Sequence, residues 1–444
     1  MRSIALFVTV FLVSLSAFNQ SFQAVPKIKS PALFNEQLQY TSSLLHQPNA
    51  PIRILVYGQS ISVQDWWKEV KTYFENKYPT AAITFMNKAI GGFSAERLKL
   101  TVANDVVSFY PDLILFHDYG NEEDYEKIIR VIRSKTTADI AIQTDHMALQ
   151  NQEWHDRHNN IWLPGLCRKY GLALVDVRKY WKLYLKENKL EIKDLLTDGV
   201  HLNEQGNYVM AAIIKNYFDN LLYVPMADQR IAILKRDRDF FVKGDSIQLP
   251  FTGNRVDVQN DSPTKTNSIR ILVDNQSLKN NERCFYYTRP TLKPDEFFLT
   301  NIGLLLAMEL SRNVREEKWF LTILSIDSLQ QQVVFSIKGS LTGEDGTGNS
   351  SKVFNSNSGK ITIRPDAWFV RKSKGDFALF NWLKPGDVLQ WQIKSMCFDS
   401  LALQPVKQTI LQGIVNTTHQ LKITGPGAKH INEIIVYLPP LSED

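Results

Sequence analysis

The chain has 444 residues, of which 44% are hydrophobic and 22% are charged, the balance of an ordinary folded protein with room for two domains. Its net charge of +5 is small for this length, and Lys and Arg are interspersed with Asp and Glu. This distribution argues against a nucleic-acid-binding surface, for which basic residues would be clustered.

The N-terminus has the layout of a secretory signal peptide. Arg2 supplies a positive charge, Ile4–Phe18 is almost entirely apolar or small, and the polar stretch Asn19–Gln23 follows. The apolar run is shorter than the roughly 20 residues of a membrane-spanning helix. We predict that residues 1–24 are a signal peptide, that the protein is secreted or periplasmic, and that it has no stable membrane insertion after cleavage. The alternative is an uncleaved anchor.

Strand and helix patterns alternate in the first half of the chain. Short apolar runs rich in branched residues predict five buried strands. These are Ile52–Tyr57, Ala82–Met86, Leu113–Phe116, Ile140–Thr144 and Ala173–Val177. Helical spacing of apolar residues predicts helices at Asp65–Tyr78, Tyr125–Arg133, Trp162–Tyr170 and Gln205–Leu222. The alternation indicates a parallel sheet covered by helices on both faces.

Candidate strands dominate after about Met226. They are Ser246–Phe251, Arg255–Gln259, Ser268–Val273, Cys284–Thr288, Lys318–Ile326, Gln332–Lys338, Lys360–Arg364, Val388–Lys394, Gln420–Thr424 and Ile434–Leu438. Their connections are rich in Gly, Asn, Ser and Asp, notably Gly339–Gly359. This pattern predicts an antiparallel β-sandwich.

The three cysteines, Cys167, Cys284 and Cys397, allow at most one disulfide and lack the spacing of a metal site. Cys167 fits a buried apolar position. A bridge between Cys284 and Cys397 stays an open alternative.

Ser60 follows the first predicted strand, in the sequence Gly58-Gln59-Ser60. Ligands bind at the carboxyl ends of strands in open parallel sheets, and Gly58 permits the sharp turn that exposes a hydroxyl there. Taken alone, this pattern fits a polar turn or a helix cap better than a nucleophile.

The segment Asp198-Gly199-Val200-His201 offers the partners that a nucleophilic serine needs. The hydroxyl requires a base to accept its proton, and the base requires a carboxylate to fix its tautomer. The spacing can bring Asp198 beside the imidazole of His201. The alternative is a turn-forming Asp next to a surface His.

Two further loops carry candidate oxyanion donors. Asn87–Gly92 follows the second strand and ends in paired glycines, while Tyr119–Glu122 follows the third strand and contains Asn121. Backbone amides of glycines and side-chain amides of asparagine can both stabilise a developing oxyanion. Each loop alone is also explained by turn chemistry. All of these loops would lie at one edge of one sheet.

In this order the loops resemble the four blocks of the SGNH/GDSL hydrolase superfamily, which are named for Ser, Gly, Asn and His. The resemblance covers roughly residues 50–222 and is closest in DGVHLNEQG, which contains Asp198 and His201. It implies Ser60 as the nucleophile, and an oxyanion hole formed by Ser60, Gly92 and Asn121. It also implies a three-layer α/β/α, flavodoxin-like catalytic domain at residues 25–226, before the predicted β-sandwich at residues 227–444.

Three positions depart from the family pattern. Gln59 replaces the usual Asp, as in related acetylesterases, and Tyr119 and Glu122 replace the usual Gly and Asp of the third block.

Other polar and aromatic residues are candidates for the cleft. His146, His155 and His158 lie in a polar segment; the last two could share a helix face and bind a metal, but a cleft-edge loop explains them better. His117 ends a strand and is expected to border the cleft. Trp66 and Trp67 are either a platform for a sugar or, for at least one of them, helix packing.

The resemblance implies a serine esterase that removes ester groups, above all O-acetyl groups, from polysaccharide or oligosaccharide. Acyl transfer through Ser60 and His201 needs no metal or organic cofactor. Two alternatives stay open: a lipase- or thioesterase-like hydrolase, and a catalytically inactive carbohydrate-binding surface protein that keeps the fold.

Overall fold

The computed structural model describes residues 22–28, 36–223, 230–261, 268–292, 304–327, 329–330, 332–369, 383–404 and 406–443. The predicted signal peptide lies outside these ranges apart from its last three residues, and so does the predicted boundary between residues 226 and 227. None of the helices within the described ranges is long and apolar enough to cross a membrane.

The first half of the chain alternates strands and helices. Its strands are β1 (Pro51–Gly58), β2 (Ala82–Asn87), β3 (Leu113–His117), β4 (Asp139–Gln143) and β5 (Ala173–Val175). Its α-helices are α1 (Gln39–His46), α2 (Ser60–Val63), α3 (Trp66–Lys77), α4 (Ala95–Phe109), α5 (Glu122–Lys135), α6 (Gln152–Arg157), α7 (Leu163–Tyr170), α8 (Val177–Asn188) and α9 (Glu204–Asp219). The strands form one parallel sheet in the order β2-β1-β3-β4-β5, a doubly wound, flavodoxin-like arrangement.

Both faces of this sheet are buried, because successive side chains of a strand point to opposite faces. On β1, Ile52, Ile54 and Val56 pack in a cluster with α3, α8 and α9. Leu55 and Tyr57 pack in a separate cluster with α4, α5 and α7. The prediction of a three-layer α/β/α domain with a parallel sheet is therefore confirmed.

Of the nine α-helices in the described part of this domain, four were predicted (α3, α5, α7 and α9) and five were not (α1, α2, α4, α6 and α8). The predicted strand Ala173–Val177 is wrong at its end, because β5 stops at Val175 and Asp176 caps the next helix by accepting the amide of Lys179 at 3.1 Å. Branched Val177 thus begins a helix, although its intrinsic preference favours a strand.

The described part of the second half contains antiparallel strands and short 3₁₀ turns. Its strands are β6 (Ile231–Lys235), β7 (Ser246–Asn260), β8 (Ser268–Val273), β9 (Phe285–Tyr287), β10 (Glu309–Leu310), β11 (Glu317–Asp327), β12 (Gln332–Gly339), β13 (Gly343–Asn349), β14 (Phe354–Asn355), β15 (Ile361–Ile363), β16 (Val388–Ser395), β17 (Ser400–Ala402), β18 (Gln408–Thr424) and β19 (Ile431–Tyr437). A six-stranded sheet (β17-β8-β18-β7-β19-β6), a five-stranded sheet (β13-β12-β11-β16-β9) and a three-stranded sheet (β10-β15-β14) share one hydrophobic core. The mostly-β second half is confirmed.

Two expectations for this half are wrong in detail. Ser246–Phe251 and Arg255–Gln259 are one strand, β7, which continues through Gly253 at a φ of 151°. The predicted connection Gly339–Gly359 contains β13 and β14. Because β13 is a polar edge strand, it lacks the alternating apolar residues that mark a strand in sequence.

The two halves are joined through buried polar side chains. The hydroxyl of Tyr110, at the end of α4, donates to Asn254 Oδ1 on β7 at 2.7 Å. Beside it, the buried guanidinium of Arg255 binds Asp257 at 2.8 and 2.9 Å and lies over the rings of Tyr110 and Tyr437. The interface therefore contains a charged pair with no access to solvent.

The three cysteines are buried and present as free thiols. Cys167 occupies the apolar position expected from its sequence, on α7.

Candidate active site

Ser60 begins α2, immediately after β1 ends at Gly58. Gly58 has a φ of 143°, and a Cβ at this position would overlap the carbonyl oxygen of His117 on β3. Only glycine lets the chain pass this close to the neighbouring strand while it turns toward the sheet edge. The hydroxyl of Ser60 is thereby presented at the carboxyl end of the sheet.

His201 and Asp198 reach Ser60 in the order that proton transfer requires. His201 Nε2 lies 3.0 Å from Ser60 Oγ, and His201 Nδ1 lies 2.8 Å from Asp198 Oδ2. The carboxylate can accept only an N–H from Nδ1, so Nε2 is left free to accept the serine proton. The structure therefore brings together the three residues predicted as nucleophile, base and orienting carboxylate.

Asp198 is held in its charged form by its own loop. Its Oδ1 accepts the backbone amides of Val200 and His201, each at 2.7 Å. Burial raises the pKa of Asp198, but the hydrogen bonds from His201 and from these amides outweigh that effect and lower the pKa to about 2. The carboxylate is thus ionised at neutral pH.

Neighbouring segments hold the Asp198–His201 loop in place. The carbonyl of Val200 accepts Nε2–H of buried His146 at 2.7 Å, and the carbonyl of Gly199 accepts the amide of Leu149 at 2.9 Å. At the start of α9, Gly206 lies so close to the carbonyl of Leu195 that any side chain there would collide with it. These contacts fix where the loop meets the sheet edge.

Gln59 is a functional position whose partners the sequence did not reveal. Its buried Oε1 accepts the hydroxyl of Ser60 at 2.8 Å and the amide of Ile61 at 3.1 Å. Its Nε2 donates to Nδ1 of His117 at 3.0 Å. The Ser60 hydroxyl has one proton and two possible acceptors, Gln59 Oε1 and His201 Nε2. When the serine is activated, the hydroxyl must therefore turn its proton from Gln59 Oε1 to His201 Nε2.

A buried carboxylate lies behind this contact. Asp145 Oδ1 is 3.2 Å from Nε2 of His117, and Asp145 Oδ2 accepts Nδ1–H of His155 at 2.7 Å and Nδ2–H of Asn159 at 2.9 Å. Burial raises the pKa of Asp145, but the contacts with His117 and His155 outweigh it and hold the pKa well below its usual range. His117, expected to border the cleft, is almost fully buried but does lie in the lining of the cleft, and it links the carboxylate to Gln59.

Gly92 and Asn121, the predicted oxyanion donors, lie in two loops that are joined to each other. The carboxylate of Glu96 accepts the amide of Asn121 at 2.9 Å, and Ala95 N–H donates to the carbonyl of Tyr119 at 3.0 Å. Gly92 has a left-handed φ of 75°. Within the described ranges, the amide of Gly92 and Nδ2 of Asn121 have no hydrogen-bond partner, while Asn121 Oδ1 caps α5 through Asp124. Both donors are free to bind an anion, and their role stays a prediction.

The second half of the chain contacts the loop that carries Gly92. Arg97 donates to the carbonyl of Gly92 at 2.7 Å, and its guanidinium lies 4.1 Å from the centre of the Phe369 ring. Phe369 also packs on Phe93, with the ring centres 5.8 Å apart. Arg289 donates to the carbonyl of Lys88 at the other end of this loop, at 2.6 Å. No local sequence signal could have found these contacts, because they join distant segments.

A cleft of about 570 Å³ opens beside the nucleophile. Its lining includes Gln59, Ile61, Tyr119, Trp154 and His155. The polar segment with His146, His155 and His158 therefore lines the cleft or supports it, as expected.

Trp66, one of the two aromatic candidates on α3, is a packing residue, and the half-buried Trp67 stacks on Phe85 with the ring centres 6.1 Å apart. The ring of buried His158 stacks between Trp154 and Trp162, with ring centres 4.6 and 4.9 Å apart. Trp66 is fully buried and donates to the carbonyl of Ile61 at 2.6 Å. Within the described ranges, no three His, Cys, Asp or Glu side chains form a group that could hold a metal ion.

The arrangement can therefore activate a hydroxyl and deliver it to an electrophilic carbon. Ser60 Oγ has a base at hydrogen-bond distance, the base has an ionised partner, and unpaired N–H donors lie in the adjacent loops. This combination is that of nucleophilic catalysis by serine.

No protein-family model and no curated protein matches the chain. Solved structures similar to it include a two-domain esterase active on acetylated mannans, co-crystallised with mannopentaose, at 14% identity and a TM-score of 0.35, which covers 92% of this chain and 96% of that one. An acetylxylan esterase mutant from Geobacillus stearothermophilus matches at 17% identity and a TM-score of 0.35, over 40% of this chain and 99% of that one. An α/β hydrolase from the metagenome of Lake Arreo, Spain, matches with the same values.

Proposed function

We propose that the chain is a serine hydrolase of carboxylic esters and a member of the SGNH/GDSL superfamily. The observation that carries this proposal is the continuous contact from Ser60 Oγ to His201 Nε2 at 3.0 Å and from His201 Nδ1 to Asp198 Oδ2 at 2.8 Å. These distances fit a nucleophile, a general base and an orienting carboxylate, and only the Ser60 hydroxyl proton has to turn from Gln59 to His201.

In the proposed reaction, Ser60 Oγ attacks the ester carbonyl carbon while His201 Nε2 accepts the hydroxyl proton. The carbonyl oxygen becomes an oxyanion, for which the amides of Ser60 and Gly92 and Nδ2 of Asn121 are the proposed donors. The imidazolium, stabilised by Asp198, then returns the proton to the leaving alkoxide. An acyl-enzyme and a free alcohol result.

Water completes the cycle. His201 Nε2 removes a proton from a water molecule, whose oxygen attacks the acyl carbon. As the second tetrahedral intermediate collapses, the proton passes to Ser60 Oγ, which leaves as the free hydroxyl. The acid product departs, and no electron donor or acceptor is consumed.

The proposed substrate is O-acetylated carbohydrate, and the protein is proposed to meet it outside the cytoplasm after export through residues 1–24. The resemblance of the sequence blocks supports this substrate. The triad's position supports it too, because the side chains of His201 and Asp198 are 42% and 56% exposed. A triad this open to solvent can reach an ester on a polymer that no closed pocket would admit.

The test is hydrolysis of 4-nitrophenyl acetate and acetate release from acetylated polysaccharides by wild type and Ser60→Ala. We expect activity in the wild type and a loss of at least about 10³-fold in Ser60→Ala. Circular dichroism and the melting temperature check that the variant is folded. A wild type inactive on all acetylated substrates, or a fully active Ser60→Ala, would refute the proposal. Butanoate and octanoate esters test the lipase-like alternative, which requires faster turnover of the longer chains.

A further inference from the structure

A second cleft, of about 790 Å³, lies between the two halves of the chain. The first half contributes the loop Asn87–Gly91 and part of α4 to its lining, and the second half contributes β9, β11 and β16. It is separate from the 570 Å³ cleft described above. The proposed reaction does not use it.

This interdomain cleft adjoins the nucleophile loop. Val63, three residues after Ser60, lines it. Asn87, also in the lining, donates from Nδ2 to the carbonyl of Ser62 at 2.7 Å, and Ile90 N–H donates to the carbonyl of Gly58 at 2.9 Å. Because Gln59 and Ile61 line the other cleft, the short segment that carries Ser60 separates the two. A ligand in the interdomain cleft therefore lies against the segment that carries the nucleophile.

The wall formed by the second half presents a regular array of side chains. In the antiparallel register, Lys318 on β11 faces Gln392 on β16, and Phe320 faces Gln390. The intervening Trp319 points into the core and is fully buried, whereas these four side chains point into the cleft. Within the described ranges, the side-chain amides of the two glutamines have no hydrogen-bond partner.

The cleft carries an excess of positive charge. Four basic residues line it: Lys88, Arg289, Lys318 and Lys394. Among the described residues of that lining, the only carboxylate is that of Asp105, which is already bound to Arg289 at 2.7 and 3.1 Å.

Two of the four basic side chains, those of Lys318 and Lys394, have no partner among the described residues, whereas Lys88 does. The ammonium group of Lys88 donates to the carbonyl of Asp105 and to Ser108, at 2.6 and 2.9 Å. The exposed ammonium groups of Lys318 and Lys394 have neither a hydrogen bond nor an ion pair with any residue that the structure describes. Both are therefore available to a ligand that carries negative charge.

We propose that the interdomain cleft binds an acidic stretch of the glycan, with uronic-acid residues, while a neighbouring ester group reaches Ser60. Lys318 and Lys394 bind the carboxylates, Gln390 and Gln392 bind sugar hydroxyls, and the half-buried ring of Phe320 packs against a sugar face. This inference rests on the proposed function for the nature of the polymer. The lining of the cleft adds the prediction that the sugars of this polymer are anionic.

Binding is measured on the Ser60→Ala protein, so that turnover does not interfere. Isothermal titration calorimetry compares a xylo-oligosaccharide that bears glucuronic acid with the same oligosaccharide lacking it. We expect the acidic ligand to bind, and the double variant Lys318→Gln/Lys394→Gln to weaken its binding about tenfold, as the loss of two partly exposed ion pairs predicts. Added salt should weaken binding in the parent and have less effect in the double variant.

The matched control is Lys352→Gln/Lys429→Gln, which removes two exposed lysines of the second half outside the cleft. It should bind as the parent does. The proposal is overturned if the acidic ligand fails to bind, if the neutral ligand binds equally well, if the control weakens binding as much as the cleft variant, or if poly-glutamate competes as strongly as the glycan.

Kinetics separate a failure of this inference from a failure of the proposed function. In an otherwise wild-type protein, Lys318→Gln/Lys394→Gln should leave hydrolysis of 4-nitrophenyl acetate unchanged and raise KM about tenfold for an acetylated polymer with uronic acid. An unchanged KM for that polymer overturns the inference and leaves the esterase proposal intact. Lysine-dependent binding by a wild type without esterase activity refutes the proposed function and supports the binding site.

Discussion

Gln59 donates its side-chain amide to Nδ1 of His117 at 3.0 Å, so the residue next to the nucleophile is fixed by a histidine on the adjacent strand. This direction of donation makes Nδ1 the acceptor and leaves the ring proton on Nε2, which faces Asp145 Oδ1 at 3.2 Å. The negative charge of Asp145 thus favours the tautomer of His117 that Gln59 requires. Gln59 in turn competes with His201 for the hydroxyl proton of Ser60.

Asp145→Asn tests this buried connection. The asparagine NH₂ group has to face an N–H of His117 or of His155, and one buried donor is left unsatisfied. We expect a loss of about 1–3 kcal/mol of stability and a fall in kcat for 4-nitrophenyl acetate, with KM nearly unchanged. Urea unfolding and steady-state kinetics measure both. The control Glu153→Gln changes an exposed carboxylate eight residues away and should behave as wild type; a normal kcat in Asp145→Asn would contradict the positioning role.

Phe369→Ala tests whether the second half supports the loop that carries Gly92. The substitution removes the ring on which Arg97 and Phe93 lie. Arg97 then holds the Gly92 carbonyl less firmly, and we expect kcat for 4-nitrophenyl acetate to fall about tenfold, less than the loss of a whole oxyanion donor. Because 4-nitrophenyl acetate contains no glycan, a defect in polymer binding would leave its turnover intact. Phe241→Ala, at an exposed position of the same half, is the control and should have no effect.

Two glycines in helices provide a matched pair. In Gly206→Ala the new methyl group collides with the carbonyl of Leu195, so we expect a loss of about 1–3 kcal/mol and reduced activity, because this contact positions the loop with Asp198 and His201. At Gly165 nothing lies within 4 Å of an added Cβ. Gly165→Ala should stabilise the protein by about 0.5–1 kcal/mol. Thermal unfolding compares the two variants. If both had the same effect on stability, the close approach of Gly206 to the carbonyl of Leu195 would not be the reason for glycine at this position.

The buried imidazole of His146 should make stability depend on pH. Burial lowers its pKa from 6.5 to about 4, so below pH 6.5 the unfolded chain gains a proton that the folded protein does not bind until about pH 4. Its contribution is complete above pH 6.5 and is lost as the pH falls toward 4, up to about 3 kcal/mol.

His146→Gln removes the titrating group and keeps an N–H for the carbonyl of Val200. Its melting temperature should fall less between pH 6.5 and 4 than that of the wild type. Parallel pH profiles for the two proteins would rule out His146 as the source.

The sequence patterns predicted the structural features that depend on residues close to one another in the chain. The strands of the parallel sheet are short apolar runs, and Asp198 and His201 are three residues apart on one loop, so both were visible locally. The contact between Gln59 and His117 joins residues 58 positions apart and exists only because β1 and β3 are adjacent in the sheet. The role of Phe369 depends in the same way on how the two halves pack.

The buried pair of Arg255 and Asp257, covered by Tyr110 from the first half, limits which second domains can be joined to this first domain. A recombination event that replaced the second half with an unrelated β-domain would leave Tyr110 and the carbonyl of Lys135, which accepts Asn254, facing a foreign surface. A chain cut between the halves would bring water to a charged pair whose side chains are 3% and 1% exposed in the intact protein. In an engineered exchange, the two halves are therefore best transferred together, so that Tyr110 and Asn254 stay in contact.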